Sequence, residues 1–346
     1  MSLRRPSAPV EIGRNPLSIE HMPKRGLSMI RSVVTGGSGF IGSHVVDALR
    51  EAGHEVVVVD RSPPRHRKDV TFRAADITDL DEVCAAFEGA DYVHHLAAVA
   101  DADQAFEQPV QCIEANVLGT AHVLEAARRA HVARVLLASS VSVYSGLLES
   151  HVDEDTPLHM PGPGHVHSSS KIASELIVHD YAALYDLPIT IFRYGVAYGP
   201  RMRDELMIPA LLKRALSGQP LLIAGDGQQS RNLVYVGDLA RAHVLGLADT
   251  CANQTFNLDG SRWVSVLAIA QAVRDMVGPH VTIEHVPGQP GEHVGKLASP
   301  RKAARVLGWA DRTSFAHGMR HTFEWFRATH PLQPALSLAA RPEAAS

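Results

Sequence analysis

From Ile30 onward the chain alternates short apolar runs with stretches whose apolar residues recur every three to four positions. Residues 30–35, 55–59, 70–74, 92–96, 134–139 and 188–193 have the length and β-branched content of buried strands. Between them, 43–52, 80–87, 109–130 and 168–185 carry helical periodicity. Strands apolar on both faces and separated by helices predict a parallel sheet with right-handed crossovers, a doubly wound α/β (Rossmann) fold. After Gly195 the rhythm breaks. Proline and glycine cluster at Gly199-Pro200, Gly218-Gln219-Pro220, Gly225-Asp226-Gly227 and 286–291, between helices expected near 209–217 and 264–277. This reads as a smaller C-terminal substrate lobe built of loops rather than long strands, with 255–258 returning to the sheet as a last strand. The expected organisation is a dinucleotide-binding domain over 29–194 plus about 233–260, and a substrate lobe over about 195–232 plus 261–330. Residues 1–28, rich in Arg, Pro and Ser, and 331–346, rich in Ala and Pro, read as disordered ends.

Composition narrows the function. The net charge of −4 offers nucleic acid no broad basic surface, and no apolar run reaches the length of a membrane span. Cys84, Cys112 and Cys251 form no CxxC pair, which argues for a reducing compartment, here the cytoplasm, and against disulfides or structural zinc. Twenty histidines invite a metal, but His151, His159, His165 and His167 lack the carboxylate or thiolate that would complete a ligand set, so none is expected.

The clearest chemical signal is Thr35-Gly36-Gly37-Ser38-Gly39-Phe40-Ile41-Gly42, placed between a predicted strand and a predicted helix. Glycines at 36, 39 and 42 allow a tight turn, close approach to a pyrophosphate and helix–strand packing. The helix N-terminus then faces the phosphates with free N–H groups. Asp60 ends the next strand, where a carboxylate accepts both ribose hydroxyls and repels a 2′-phosphate, favouring NAD(H). Arg61 beside it softens that preference. No Gly-Lys-Ser/Thr follows the loop, which excludes a triphosphate-binding loop.

Further runs follow in order: Asp76-Ile77-Thr78-Asp79, His95-Leu96-Ala97-Ala98, Asn116-Val117-Leu118-Gly119-Thr120 and Ser139-Ser140-Val141-Ser142-Val143-Tyr144. Beyond them come Lys171, Arg193-Tyr194-Gly195-Val196-Ala197-Tyr198-Gly199-Pro200, Arg231 and Leu307-Gly308-Trp309. With these motifs the chain resembles the extended short-chain dehydrogenase/reductase family, in particular its nucleotide-sugar epimerases and dehydratases, over residues 29–326.

The resemblance implies that Ser38, Phe40 and Ile41 join the glycines at the cofactor, that Asp76 and Ile77 flank adenine, and that Leu96, Ala97 and Ala98 line ribose and pyrophosphate. Asn116 and Tyr194 belong to the same implied cofactor set. Ser140 would hydrogen-bond the hydroxyl being oxidised, and Lys171 would hold the nicotinamide ribose while lowering the pKa of a nearby base. It also implies a homodimer through the helices of 109–130 and 168–185. The family's catalytic tyrosine belongs four residues before Lys171, and here His167 stands there. A neutral imidazole accepts a proton without needing the lysine's field, but beside that charge it holds the proton poorly. His167 is therefore either the base or the mark of lost catalysis.

Two more departures concern the substrate. Val196 replaces an asparagine, and Gln289 replaces an arginine, both of which often hold the nucleotide diphosphate in the family. Arg231 remains as its contact, with Ser142, Val196, Arg201 and the neighbouring Arg203 as further substrate candidates. Related dehydratases carry Asp-Glu directly after the catalytic serine or threonine, where this chain has Val141 and Ser142. The reaction expected is epimerisation, at C4, of a nucleotide sugar through a transient ketone. An NAD-dependent oxidation of another small alcohol and a catalytically impaired NAD-binding protein stay open beside it.

Overall fold

The computed structural model describes residues 29–158, 164–288 and 297–330. The ends 1–28 and 331–346, His159 and Gln289 lie outside the described residues. Seven parallel strands form the central sheet. In chain order the labelled elements are β1 (Arg31–Thr35), α1 (Phe40–Glu51), β2 (Glu55–Asp60), β3 (Thr71–Ala74) and β4 (Tyr92–His95). They continue with α2 (Gly119–Arg129), β5 (Arg134–Ser140), α3 (Val166–Tyr185), β6 (Ile189–Tyr194), α4 (Val236–Leu245) and β7 (Gln254–Leu258). The spatial order β7-β6-β5-β4-β1-β2-β3 reverses direction between β4 and β1, the doubly wound arrangement that the alternating pattern predicts.

Both faces of the sheet's centre are covered, which is why strands such as β2 and β5 read as apolar runs, whereas the edge strand β3 is largely exposed. On β1, Val33 packs with Val123, Leu124 and Val178 of α2 and α3, whereas its neighbour Val34 packs with Val45, Val46 and Leu49 of α1 and Ala240 of α4. Helix α1 begins at Phe40, three residues earlier than its periodicity indicates. The helical stretch 109–130 is not continuous. A helix at Pro109–Ile113 widens into a π-turn over Glu114–Leu118 before α2. In that turn the Asn116 carbonyl accepts from the hydroxyls of Thr120 and Ser174 (2.5 and 2.7 Å), bonds no helical pattern reveals.

The smaller lobe differs from its expected loop character. Strands Val196–Tyr198, Ser230–Tyr235 and Trp263–Ser265 form one sheet, and Leu221–Ala224 pairs with Ile283–Val286. These pairings are non-local, so no single segment carries a strong strand signal. Helices Met207–Leu216, Val266–Val277 and Phe315–Thr329 close a separate core around Leu212, Ile269 and Phe326. Among the described residues no helix is long and apolar enough to cross a membrane.

Candidate active site

The glycine loop turns at the carboxyl end of β1. Gly36 has φ +70°, and a Cβ there would meet the backbone N of Ala97 at 2.6 Å; one on Gly42 would meet the Gly36 carbonyl oxygen at 2.1 Å. Only glycine fits either place. Among the described residues no side chain caps α1 at Gly39, which leaves the first-turn N–H groups for an anion. Asp60, at the end of β2, accepts from the Ser38 N–H at 3.1 Å and stands beside the loop. A bare helix N-terminus, a backbone cradle with no room for side chains and a carboxylate at the second strand fit a dinucleotide.

Other residues of the expected cofactor set are placed as follows. The N–H of Ala97 donates to Thr35 Oγ1 at 3.3 Å, holding the 96–98 segment against the loop. Asp76 spends its carboxylate on the N–H and hydroxyl of Thr78 (2.9 and 2.8 Å), and Ile77 packs its side chain against Gly119. Asn116 is buried, with its amide fully engaged. It accepts from the Val99 N–H at 2.7 Å and donates to the Val99 carbonyl and to Ser170 Oγ at 3.0 and 2.9 Å. It thereby ties the segment after β4 to α3, the helix that carries Lys171.

Lys171 and His167 lie one turn apart on α3, both buried. The Lys171 ammonium donates to the Ala138 carbonyl at 2.9 Å, two residues short of Ser140 on β5. Burial pulls its pKa down to about 8. Burial first, then the Lys171 charge, pulls His167 down to about 4, so at neutral pH its imidazole keeps a free lone pair. Ser140 Oγ accepts from the Ser142 N–H at 3.1 Å, which sets the turn after β5.

A cavity of about 300 Å³ opens beside this turn. Ser140, Ser142, Tyr194, Val196 and Arg231 line it together, joining candidates from three separate stretches of sequence. Among the described residues the buried Ser142 hydroxyl has no hydrogen-bond partner and so is available to a ligand. Tyr194 lines the cavity, and its hydroxyl is held by His243 Nε2. Arg201 stands elsewhere. It pairs with Asp47 of α1 at 2.6 Å and does not line this cavity, and Arg203 pairs with Asp101 at 2.7 Å. The cavity also takes in Asn232, Asp259 and Trp263, which motif reading passed over. For Asp259 the available signal was an acidic residue directly after the expected last strand, while Asn232 and Trp263 carried none.

His94 and His95 are strand-borne core residues. His95 sits between the hydroxyls of Thr35 and Thr120 (2.8 and 3.0 Å), and His94 Nδ1 meets His243 Nδ1 at 2.9 Å. Among the described residues no group of three or more His, Cys, Asp or Glu is arranged to hold a metal.

A family model described as "NAD dependent epimerase/dehydratase family" matches residues 32–258. The chain is 31% identical over 305 residues to a putative UDP-glucose 4-epimerase of Methanocaldococcus jannaschii, covering 85% of this chain and 98% of that protein. It is 29% identical to a dTDP-glucose 4,6-dehydratase of Streptomyces niveus, covering 86% and 93%. Among solved structures, UDP-glucose 4-epimerase of Thermotoga maritima with UDP-glucose superposes with a TM-score of 0.81 at 29% identity, covering 87% of this chain and 99% of that one.

Proposed function

The chain belongs to the NAD-dependent epimerase/dehydratase family of extended short-chain dehydrogenase/reductase enzymes, and on that premise we propose that it interconverts the C4 epimers of a nucleotide sugar. The observation that carries this reading is the contact of the buried Lys171 ammonium with the Ala138 carbonyl. It holds a positive charge against β5 two residues before Ser140, with the neutral His167 one turn away on the same helix, although neither side chain lines the cavity that Ser140 lines.

In this reading Gly36, Gly39, Gly42 and Asp60 would hold NAD, which would supply a reversible hydride acceptor for the sugar carbon. Ser140 orients the sugar hydroxyl. His167 takes the hydroxyl proton as the carbonyl forms, and gives it back when the ketone is reduced on its other face. A cationic Lys171 stabilises the developing negative charge on oxygen and keeps His167 from holding the proton too long. Arg231 on the cavity rim pairs with the diphosphate, and Ser142 receives a sugar hydroxyl. Val141 and Ser142 offer no acid for expelling water, which favours epimerisation over dehydration. The reading includes a homodimer through the exposed Val110, Ile113 and Leu176, whereas Val123 and Ile172 of the same helical stretches face the core.

The test is an isomer assay. UDP-glucose, UDP-glucuronate and their N-acetyl relatives are offered with NAD to the wild type and to His167→Tyr, and products are separated by chromatography. Isomer formation by the wild type is expected. Activity in the tyrosine variant alone would assign the chain a binding role, and silence from both would remove the reading.

The pH profile supplies a second expected result. His167 is neutral above about 4 and Lys171 is protonated below about 8. The profile of kcat/KM is therefore flat from about pH 5.5 to 7.5 and falls above about 8 as the ammonium loses its proton. An acid limb near neutrality would mean that another group is the base.

A further inference from the structure

We propose that Asp259 makes the sugar cavity selective for neutral glycosyl groups and against those bearing a carboxylate. The proposal deepens the nucleotide-sugar reading and rests on it.

Asp259 directly follows β7 and lines the same cavity as Ser140, Ser142 and Arg231. It is 1% exposed, with its carboxylate wedged under the cavity wall: a Cβ on Gly195 would lie 2.0 Å from Asp259 Oδ1. Its partners are the Gly260 N–H on Oδ1 at 2.9 Å, and the Ala298 N–H and Asn232 amide on Oδ2 at 3.2 and 3.4 Å. All three are uncharged donors. Among the described residues no guanidinium or ammonium pairs with it, and Asp311, ahead of the last helix, adds a second negative charge nearby. The carboxylate is thus a buried negative group held only by uncharged donors at a cavity of about 300 Å³, whose lining guanidinium, Arg231, is taken up by the diphosphate in the proposed reading.

Such a charge is weakly screened, because burial removes the water and ions that would attenuate it. Burial, opposed by the three donors, raises its pKa to about 7, so it is mostly ionised at pH 8. A second carboxylate on a sugar in this cavity then lies within a few ångströms of the first. Like charges so placed disfavour binding by about tenfold or more. Sugar hydroxyls carry no such cost and find Ser140 and Ser142 on the same wall.

The three hydrogen bonds also give Asp259 a structural task, joining the end of β7 to strand Ser230–Tyr235 and to Leu297–Ala298. The experiment therefore reads selectivity rather than activity. Calorimetric titration at pH 8 of the NAD-loaded protein uses UDP, UDP-glucose and UDP-glucuronate, for wild type, Asp259→Asn and Asp259→Ser. The expected wild-type Kd for UDP-glucuronate is at least about tenfold above that for UDP-glucose, and either folded variant brings the ratio within about threefold. A wild-type ratio near one overturns the proposal without any variant. A high ratio that survives both substitutions also overturns it, because the discrimination then has another source. If neither UDP nor UDP-glucose binds, the nucleotide-sugar reading itself fails and the selectivity proposal falls with it. Equal binding of the two sugars removes the role of Asp259 alone.

Discussion

Replacing Lys171 by methionine is expected to lower kcat for the isomerisation by about 10²–10³-fold, with the fold retained. The ammonium is buried and makes one hydrogen bond among the described residues, to the Ala138 carbonyl, leaving its other N–H groups for a ligand. Methionine keeps a long unbranched apolar stem in the same space, so the structural loss is confined to that hydrogen bond, about 1 kcal/mol. What disappears is the positive charge beside the reacting oxygen, in a site where burial makes it act strongly. Steady-state kinetics with parallel thermal melts separate the two effects. The alkaline fall in the pH profile should vanish in the variant, since the group responsible is gone. An unchanged kcat would remove Lys171 from the reaction.

Glu175→Ala should destabilise the protein by about 3–5 kcal/mol, the loss typical of a buried ion pair stripped of one partner. Glu175 lies one turn beyond Lys171 on α3 and receives Arg193 of β6 in a fork, through Nε at 3.0 Å and a terminal nitrogen at 2.7 Å. Ser139 of β5 donates to the same carboxylate at 2.5 Å, and Arg193 also reaches the Tyr144 hydroxyl. The two charged side chains are 4% and 7% exposed, so water cannot take over for the missing carboxylate. Urea unfolding reads the effect as a lower midpoint at similar slope. The double replacement Glu175→Leu with Arg193→Met should recover much of the loss, because it removes the orphaned charge as well. A cost below about 1 kcal/mol for Glu175→Ala would mean that Arg193 finds solvent or another acceptor. The network also pins α3 to β5 and β6, which keeps Lys171 in register with Ala138.

Local pattern carried the fold a long way. The inner strands of the central sheet were legible because both faces are covered, so that β2 and β5 carry consecutive apolar residues, as Val33 and Val34 of β1 also illustrate. Gly36 and Gly42 were legible because backbone contacts at 2.6 and 2.1 Å admit no other residue. The small-lobe strands were not, since Ser230–Tyr235 pairs with segments more than 25 residues away on both sides and short half-buried strands leave little periodicity. The π-turn at Glu114–Leu118 was hidden for a similar reason. There the Asn116 carbonyl accepts from two hydroxyls, one of them on α3, a contact that no local spacing shows.

The candidate site divides along the same line. Sequence by itself determined the doubly wound architecture and the dinucleotide loop, because those depend on residue type and short spacing, whereas Ser140, His167 and Lys171 were picked out only through the resemblance to a family. Tertiary structure alone decided which charged groups share the cavity. It placed Arg231 on the wall, turned Arg201 away to Asp47, and brought Asp259 from the end of β7 to the floor beneath Ser140's cavity. Motif spacing is blind to such choices. A side chain's partner is set by the packing of distant segments, and the strength of a charge by the water that packing removes.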